Sequence, residues 1–250
     1  MSKQLKFGNG EDSFSKESLC YVSNNKTRSF DYLIFVDSRG LVINESSFEH
    51  SYLFKIMQFL DNAKASYVCV SRPKNLTVFA TLYNFLVLNP ALTFTNLITN
   101  LGFVDCTPKK EAHIQDIQLQ INEHVSIELT QVVQENYLLL NGHYEMLKTL
   151  SYNEKYISEI ARLLNERFTA LYFIATPIIT DVMNFERKRP NSFFLQLRKT
   201  NELLGRIIEK LKHPTKLLDV KNATSTYDGV HFDRIGHEKI FTELKEKIAK

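Results

Sequence analysis

Three side chains in this sequence have the chemistry of an activated nucleophile, provided the fold brings them together. The stretch YDGVHFDRIGHEKIF, Tyr227–Phe241, carries Asp228 and His231 three positions apart, just ahead of a helical pattern. Far upstream, Ser38 lies in the turn Asp37-Ser38-Arg39-Gly40, which ends the apolar run Phe30–Val36. A serine hydroxyl is a poor nucleophile until a base takes its proton, and the base needs a partner that holds its tautomer. Ser38, His231 and Asp228 are the right residue types for those three roles. Taken singly, each has a plainer reading as a turn serine, a structural imidazole and a loop carboxylate. The signal lies in the combination.

The elements that must position these residues follow from the hydrophobic pattern. Short apolar runs closed by turn residues suit buried parallel strands. Such runs occur at Phe30–Val36, Ser66–Val70, the segment FTNLITNLGFVD, Ala170–Pro177 and Lys216–Val220. Between them lie helical patterns. Phe48, Leu53, Ile56, Met57 and Leu60 recur at helical spacing, and further helices fit Leu76–Leu88, Phe193–Lys212 and Ile235–Ala249. From Pro108 to Arg167 the pattern reads as helical throughout, longer than one crossover needs. Strands alternating with helices predict an α/β fold: a three-layer α/β/α sandwich on a mostly parallel, five-stranded, flavodoxin-like sheet. Ligands in such sheets sit at the carboxyl ends of the strands. That directs attention to Asp37–Arg39, Ser71–Asn75, Gly102–Asp105, Thr176-Pro177 and the Asp228–His231 loop.

Composition narrows the class. The 250 residues, 44% of them hydrophobic, suffice for one large domain. We divide the chain into a polar lead-in, 1–29, and a single domain, 30–250, with a helical insertion at about 108–167. A net charge of +3 with only short basic clusters such as Arg187-Lys188-Arg189 argues against nucleic acid as a partner. Three scattered cysteines, Cys20, Cys69 and Cys106, do not form a disulfide framework or a metal motif. The N-terminus lacks the apolar core of a signal peptide, and VFATLYNFLVLNPAL is interrupted by Asn84, Asn89 and Pro90 and is too short to span a membrane. These features predict a cytoplasmic protein with no metal or organic cofactor. His50, His113, His124, His143 and His213 lack metal spacing and read as structural or solvated. His237 reads as a helix-start or surface residue, Asp105 as a structural carboxylate, and Cys106 as a thiol without an evident partner.

The blocks FVDSRG, NLGFVD and DGVHFDRIGHEKI give the chain, from about residue 31 onward, a pattern that resembles the SGNH (GDSL-type) hydrolase family. The last block is the most specific, with Asp-x-x-His followed by Gly236-His237 and an apolar helix. The resemblance implies Ser38 as nucleophile, His231 as base and Asp228 as its orienting partner. It also implies an oxyanion and substrate site at Ser38, Lys74, Asn75, Gly102 and Val104. Two departures stand out. No glycine occurs between Gly40 and Gly102, so the backbone N–H of Lys74 or Asn75 would replace that of the family's second-block glycine. The third block reads Gly102-Phe103-Val104-Asp105, with valine where the family places an oxyanion-donating asparagine.

The implied activity is hydrolysis of an ester, an acyl or O-acetyl group on a carbohydrate or small molecule, through an acyl-enzyme. An O-acyltransferase would use an alcohol in place of water. The competing class is a catalytically inactive SGNH-fold protein that binds a glycan or a protein partner. A nucleotide-binding reading is weaker, because no Gly-rich phosphate loop follows any strand. The 108–167 insertion reads as extra packing or as the contact of a homo-oligomer; the sharper reading is a cap over the crevice.

Overall fold

The computed structural model describes residues 19–22, 28–41, 48–71, 77–122, 131–138, 144–177, 191–218, 220 and 226–249. The central sheet contains strands β1 (Leu19–Val22), β2 (Ser29–Val36), β3 (Tyr67–Ser71), β4 (Thr93–Thr99), β7 (Ala170–Ile174) and β8 (Thr215–Leu218) in the order β1-β3-β2-β4-β7-β8. From β3 to β8 all neighbours are parallel. These five strands, counted along the chain, stand in the order 2-1-3-4-5. The chain leaves β2 toward β3 on one side and returns to β4 on the other. The crevice between the carboxyl ends of β2 and β4 is therefore the switch point at which such sheets bind ligands.

Alternation along the strands explains the layers. In β2, Leu33 and Phe35 face one way, and Ile34 and Val36 the other. The first face packs against helices α2 (Phe79–Leu88), α4 (Glu111–Asn122), α5 (Glu154–Arg167) and α6 (Asn191–Ile208). The second packs against α1 (Tyr52–Asn62) and α7 (Arg234–Ile248). Strands covered on both faces must be apolar throughout, which is why their sequences read as continuous runs. Each fully buried aliphatic or aromatic side chain contributes about 1.5–3 kcal/mol relative to exposure. The helices begin where side chains cap them: the Ser51 hydroxyl accepts from Phe54 N at 3.1 Å, Asn153 Oδ1 from Tyr156 N at 2.8 Å and Asp233 Oδ1 from Gly236 N at 2.9 Å. Caps of this kind contribute about 1 kcal/mol each. Among the described residues, no helix is long and apolar enough to cross a membrane.

Two expectations are corrected. The 108–167 insertion is not helical throughout. Between α4 and α5 it contains β5 (Gln131–Leu138) and β6 (Tyr144–Ser151), paired antiparallel from Gln131↔Ser151 to Leu138↔Tyr144. Val132, Val133 and Tyr137 are residue types that favour strands, and Asn141-Gly142 between the two runs is a hairpin signal. Lys109 and Lys148 exchange two backbone hydrogen bonds, each 2.8 Å, and so tie this hairpin to the main domain. The second correction concerns the polar lead-in. Leu19–Val22 pairs antiparallel with β3 as a sixth strand, and Ser29 already belongs to β2. Without β1, the ladder groups of β3 would form an open edge.

Candidate active site

Ser38 opens a single 3-10 turn, Ser38–Gly40, directly after β2. Asp37 precedes it in extended conformation and caps it, its Oδ1 accepting from Arg39 N at 2.9 Å. The turn leaves Ser38 half-buried at the switch point.

The opposing group comes from the loop before α7. There the chain folds back on itself: Thr226 and Phe232 form a β-bridge, and Tyr227 N donates to the His231 carbonyl at 2.9 Å. Val230 and Phe232 are fully buried and anchor the loop. Gly229 takes φ of +82°, which an L-residue with a side chain rarely adopts. Asp228 Oδ1 accepts from Val230 N at 3.1 Å and His231 N at 2.8 Å. The same carboxylate faces His231 Nδ1, at 3.1 Å from Oδ1 and 3.0 Å from Oδ2. His231 Nε2 lies 3.2 Å from Ser38 Oγ, across 193 positions of sequence.

This geometry assigns the proton. An ionised carboxylate only accepts, so Nδ1 carries the hydrogen and donates to Asp228. Neutral Nε2 then presents its lone pair to the Ser38 hydroxyl, which donates. The Asp228 side chain is sealed from solvent, while that of His231 is 11% exposed. The imidazole is thus reachable from solvent and the carboxylate is not.

The other side of the crevice is different. Lys74 and Asn75 lie outside the described residues. Gly102 is where expected, after β4, at the start of the short helix α3 (Phe103–Cys106). Its φ of +112° and the 3.2 Å that would separate an added Cβ from Thr200 Cγ2 explain why glycine stands there. Val104 is half-buried and packs against the cluster on the α2/α4/α5/α6 face. An apolar side chain cannot stabilise developing negative charge.

Asn100, immediately after β4, is buried and fully engaged. Its Oδ1 accepts from Asp37 N at 2.7 Å, and its Nδ2 donates to the Tyr52 hydroxyl at 2.9 Å. Its carbonyl accepts from Arg39 Nη2. Arg39 is itself fully buried, forked onto Asp37 through Nε and Nη2 at 2.9–3.1 Å, with its Cζ 5.1 Å from the Phe103 ring centroid. The sequence pattern singles out Asp37–Arg39 as a strand-end turn but does not show that Arg39 and Asn100 form a buried framework. The signal that could have found this framework is the acid–base pair Asp37-x-Arg39 flanking the candidate nucleophile.

The remaining candidates are structural. Asp105 is buried and accepts from Phe79 N, the first residue of α2, at 3.1 and 3.3 Å. Burial pushes its carboxyl up to about 6, against the pull of Lys109. Lys109 is buried beside it and drawn down to about 8 by desolvation. Burial pushes the Cys106 thiol up to about 12, so it is a poor nucleophile at neutral pH. His237 stands in the first turns of α7 but is buried, correcting the surface alternative. Its Nδ1 accepts from Tyr52 N at 3.1 Å, capping α1, and burial holds it down at about 4. His213 Nε2 pairs with the Asn165 carbonyl at 2.9 Å, and His113 is exposed. His124 and His143 lie outside the described residues. Thr176 is tied to α6: its N–H and hydroxyl both donate to Asn201 Oδ1 at 3.0 Å, and its hydroxyl also reaches the Leu197 carbonyl at 2.8 Å. Among the described residues no three His, Cys, Asp or Glu side chains converge as metal ligands.

A doubly wound α/β domain with a hydrogen-bonded serine–histidine–aspartate chain at its switch point is the class that fold and site define. No protein-family model matches the sequence, and no curated protein does. Solved structures do. The psychrotrophic esterase EstA from Pseudoalteromonas sp. is similar at 10% identity, over 89% of this chain and 97% of its own, with a TM-score of 0.46. The acetyl xylan esterase AlAXEase is similar at 11% identity, over 87% and 99%, with a TM-score of 0.46. A carbohydrate acetylesterase family member from Sinorhizobium meliloti is similar at 10% identity, over 88% and 100%, also at 0.46. A further solved chain reaches 0.51 at 9% identity, over 88% of this chain and 97% of its own, a likeness of fold.

Proposed function

We propose that this chain is a serine ester hydrolase of SGNH type, acting on an acyl or O-acetyl ester of a carbohydrate or small molecule. The observation that carries the reading is the unbroken chain of contacts from Ser38 Oγ through His231 to Asp228, 3.2 Å and then 3.0 Å. Serines in turns are common, but a serine whose hydroxyl meets an imidazole already oriented by a sealed carboxylate has one evident use.

The steps follow from the tautomer. Ser38 Oγ attacks the ester carbonyl carbon while its proton passes to His231 Nε2. The resulting imidazolium faces the Asp228 carboxylate, which stabilises it without taking the proton. Collapse of the tetrahedral intermediate breaks the bond to the alcohol, which leaves with the Nε2 proton. A water then gives its proton to Nε2 and attacks the acyl-enzyme. The carboxylic acid departs, and the proton on Nε2 returns to Ser38 Oγ. The N–H groups of Arg39, Gly40 and Leu41 are taken by Asp37 Oδ1, the Asp37 carbonyl and the Ser38 carbonyl, so the donors to the anion would be the backbone N–H of Ser38 and those of the Gly102 turn.

The test is hydrolysis of a short-chain aryl ester by the purified protein and by Ser38→Ala. Deleting one hydroxyl removes few packing contacts, so the variant should fold and lose turnover. Activity retained in Ser38→Ala would place the chemistry elsewhere. A second reading, an inactive relative that binds a glycan or protein partner, is favoured by one observation: Val104 stands where the resembled family has a donor. Folded wild-type protein without turnover would support it.

A further inference from the structure

We propose that Asn100 is a positioning residue that sets the Ser38–His231 separation, an inference that rests on the reading of Ser38 as nucleophile. Asn100 joins the carboxyl ends of both strands flanking the crevice. Its side chain takes the N–H of Asp37, the residue next to Ser38, and its carbonyl takes the guanidinium of Arg39, the residue on the other side. Both neighbours of the nucleophile are thereby held to the end of β4. All three groups are buried: Asp37 and Asn100 are 1% exposed and Arg39 not at all.

The second arm of Asn100 reaches toward the base. Its Nδ2 donates to the Tyr52 hydroxyl, and Tyr52 N donates to His237 Nδ1. His237 lies on α7, the helix that begins directly after the loop carrying Asp228 and His231. The Tyr52 and His237 rings also pack at a centroid distance of 5.4 Å. The path Asp37–Asn100–Tyr52–His237 therefore links the turn that carries Ser38 to the helix that follows the loop of His231. The 3.2 Å contact between Ser38 and His231 closes it. Low-dielectric burial strengthens such a network and makes each missing member costly.

Asn100 touches no reacting atom in this account, so its removal should act on geometry. Misplacement of a reacting group by about 1 Å can cost about a hundredfold in rate. The test is Asn100→Ala, assayed well below its melting temperature by aryl-ester kinetics and by the imidazole ¹⁵N resonances of His231. We expect a fall in kcat of about ten- to a hundredfold with KM little changed, and a shift of the His231 Nε2 resonance as the Ser38 hydrogen bond lengthens. A purely structural role would lower the melting temperature and leave both the kcat of the folded fraction and that resonance as in wild type; this result would overturn the proposal. If wild type itself fails to hydrolyse esters, the resonance still reports: a shift upholds the positioning role while the hydrolase reading falls, and no shift removes both. Should the alanine variant not fold, Tyr52→Phe, which removes only the acceptor of Asn100 Nδ2, decides by the same resonance and the same kcat.

Discussion

The loop Thr226–Phe232, which brings His231 to Ser38, and the segment Asn100–Asp105 after β4 use their polar groups in opposite ways. In the loop, Asp228 turns both carboxylate oxygens to His231 Nδ1 and still accepts two backbone N–H groups. Its polarity converges on the base. In the segment after β4, the Asn100 amide holds the framework, Val104 is apolar, and Asp105 looks away to cap α2. Its polarity converges on the fold. On the proposed reading, side chains would transfer the proton, and stabilisation of the oxyanion would be left to backbone N–H groups. The two flanks should respond differently to substitution.

The largest effect is expected on the loop. Asp228→Asn keeps the size of the side chain, but its amide presents N–H hydrogens toward Nδ1 and favours the wrong imidazole tautomer. Turnover should fall by about 10⁴-fold, with aryl-ester kcat as the readout. A loss below tenfold would mean that His231 does not need this partner.

A buried group beside each flank is expected to show itself in acid stability, His237 in α7 and Asp105 after β4. His237, neutral in the fold with its pKa near 4 through burial, protonates more readily in the unfolded chain, so it lowers stability as pH falls from 6.5 toward 4. Asp105, raised to about 6 by burial, takes up its proton first in the folded state and so raises stability over nearly the same window. The two oppose each other. Asp105→Asn removes the second contribution, and its stability should decline more steeply than that of wild type between pH 6 and 4, by up to roughly 3 kcal/mol. Urea denaturation at the two pH values measures this. Parallel curves for variant and wild type would show that Asp105 is not held as described.

The smallest effect concerns Val104. Val104→Asn supplies a side-chain donor on the flank that has only backbone ones, and an unoptimised donor should raise kcat/KM by about tenfold, below the roughly 3 kcal/mol that a well-placed one can provide. Thermal melting separates the cost, about 1–3 kcal/mol if the amide is left unpaired. A stable variant with unchanged kcat/KM would mean that the anion is held elsewhere or not at all.

The contrast between the flanks also explains what could be read from sequence. Asp228 and His231 were legible because their geometry is local: three positions apart, one turn, next to a helix start. The five parallel strands were legible because burial on both faces leaves an apolar run such as Leu33–Val36, ended by Asp37. Asn100 was not legible. Its partners Asp37 and Tyr52 lie 63 and 48 positions away, and a strand-end asparagine has no local signature. The burial of Arg39 is not legible for a related reason: a charge in a turn ordinarily points to solvent, and the fork onto Asp37 and the bond to the distant Asn100 carbonyl offset its burial. The hairpin β5–β6 is not legible as strand because apolar residues there recur at spacings that fit either period, and Asn141-Gly142 is its one local signal.

The most direct measurement is reaction of the purified protein with a fluorophosphonate, followed by mass mapping of the adduct. The phosphorus centre accepts a serine oxygen only when a base has taken its proton, and the product mimics the tetrahedral intermediate. A single adduct on Ser38, absent from Ser38→Ala, is the result this account predicts. Folded protein that takes up no label, or takes it on another residue, would contradict it.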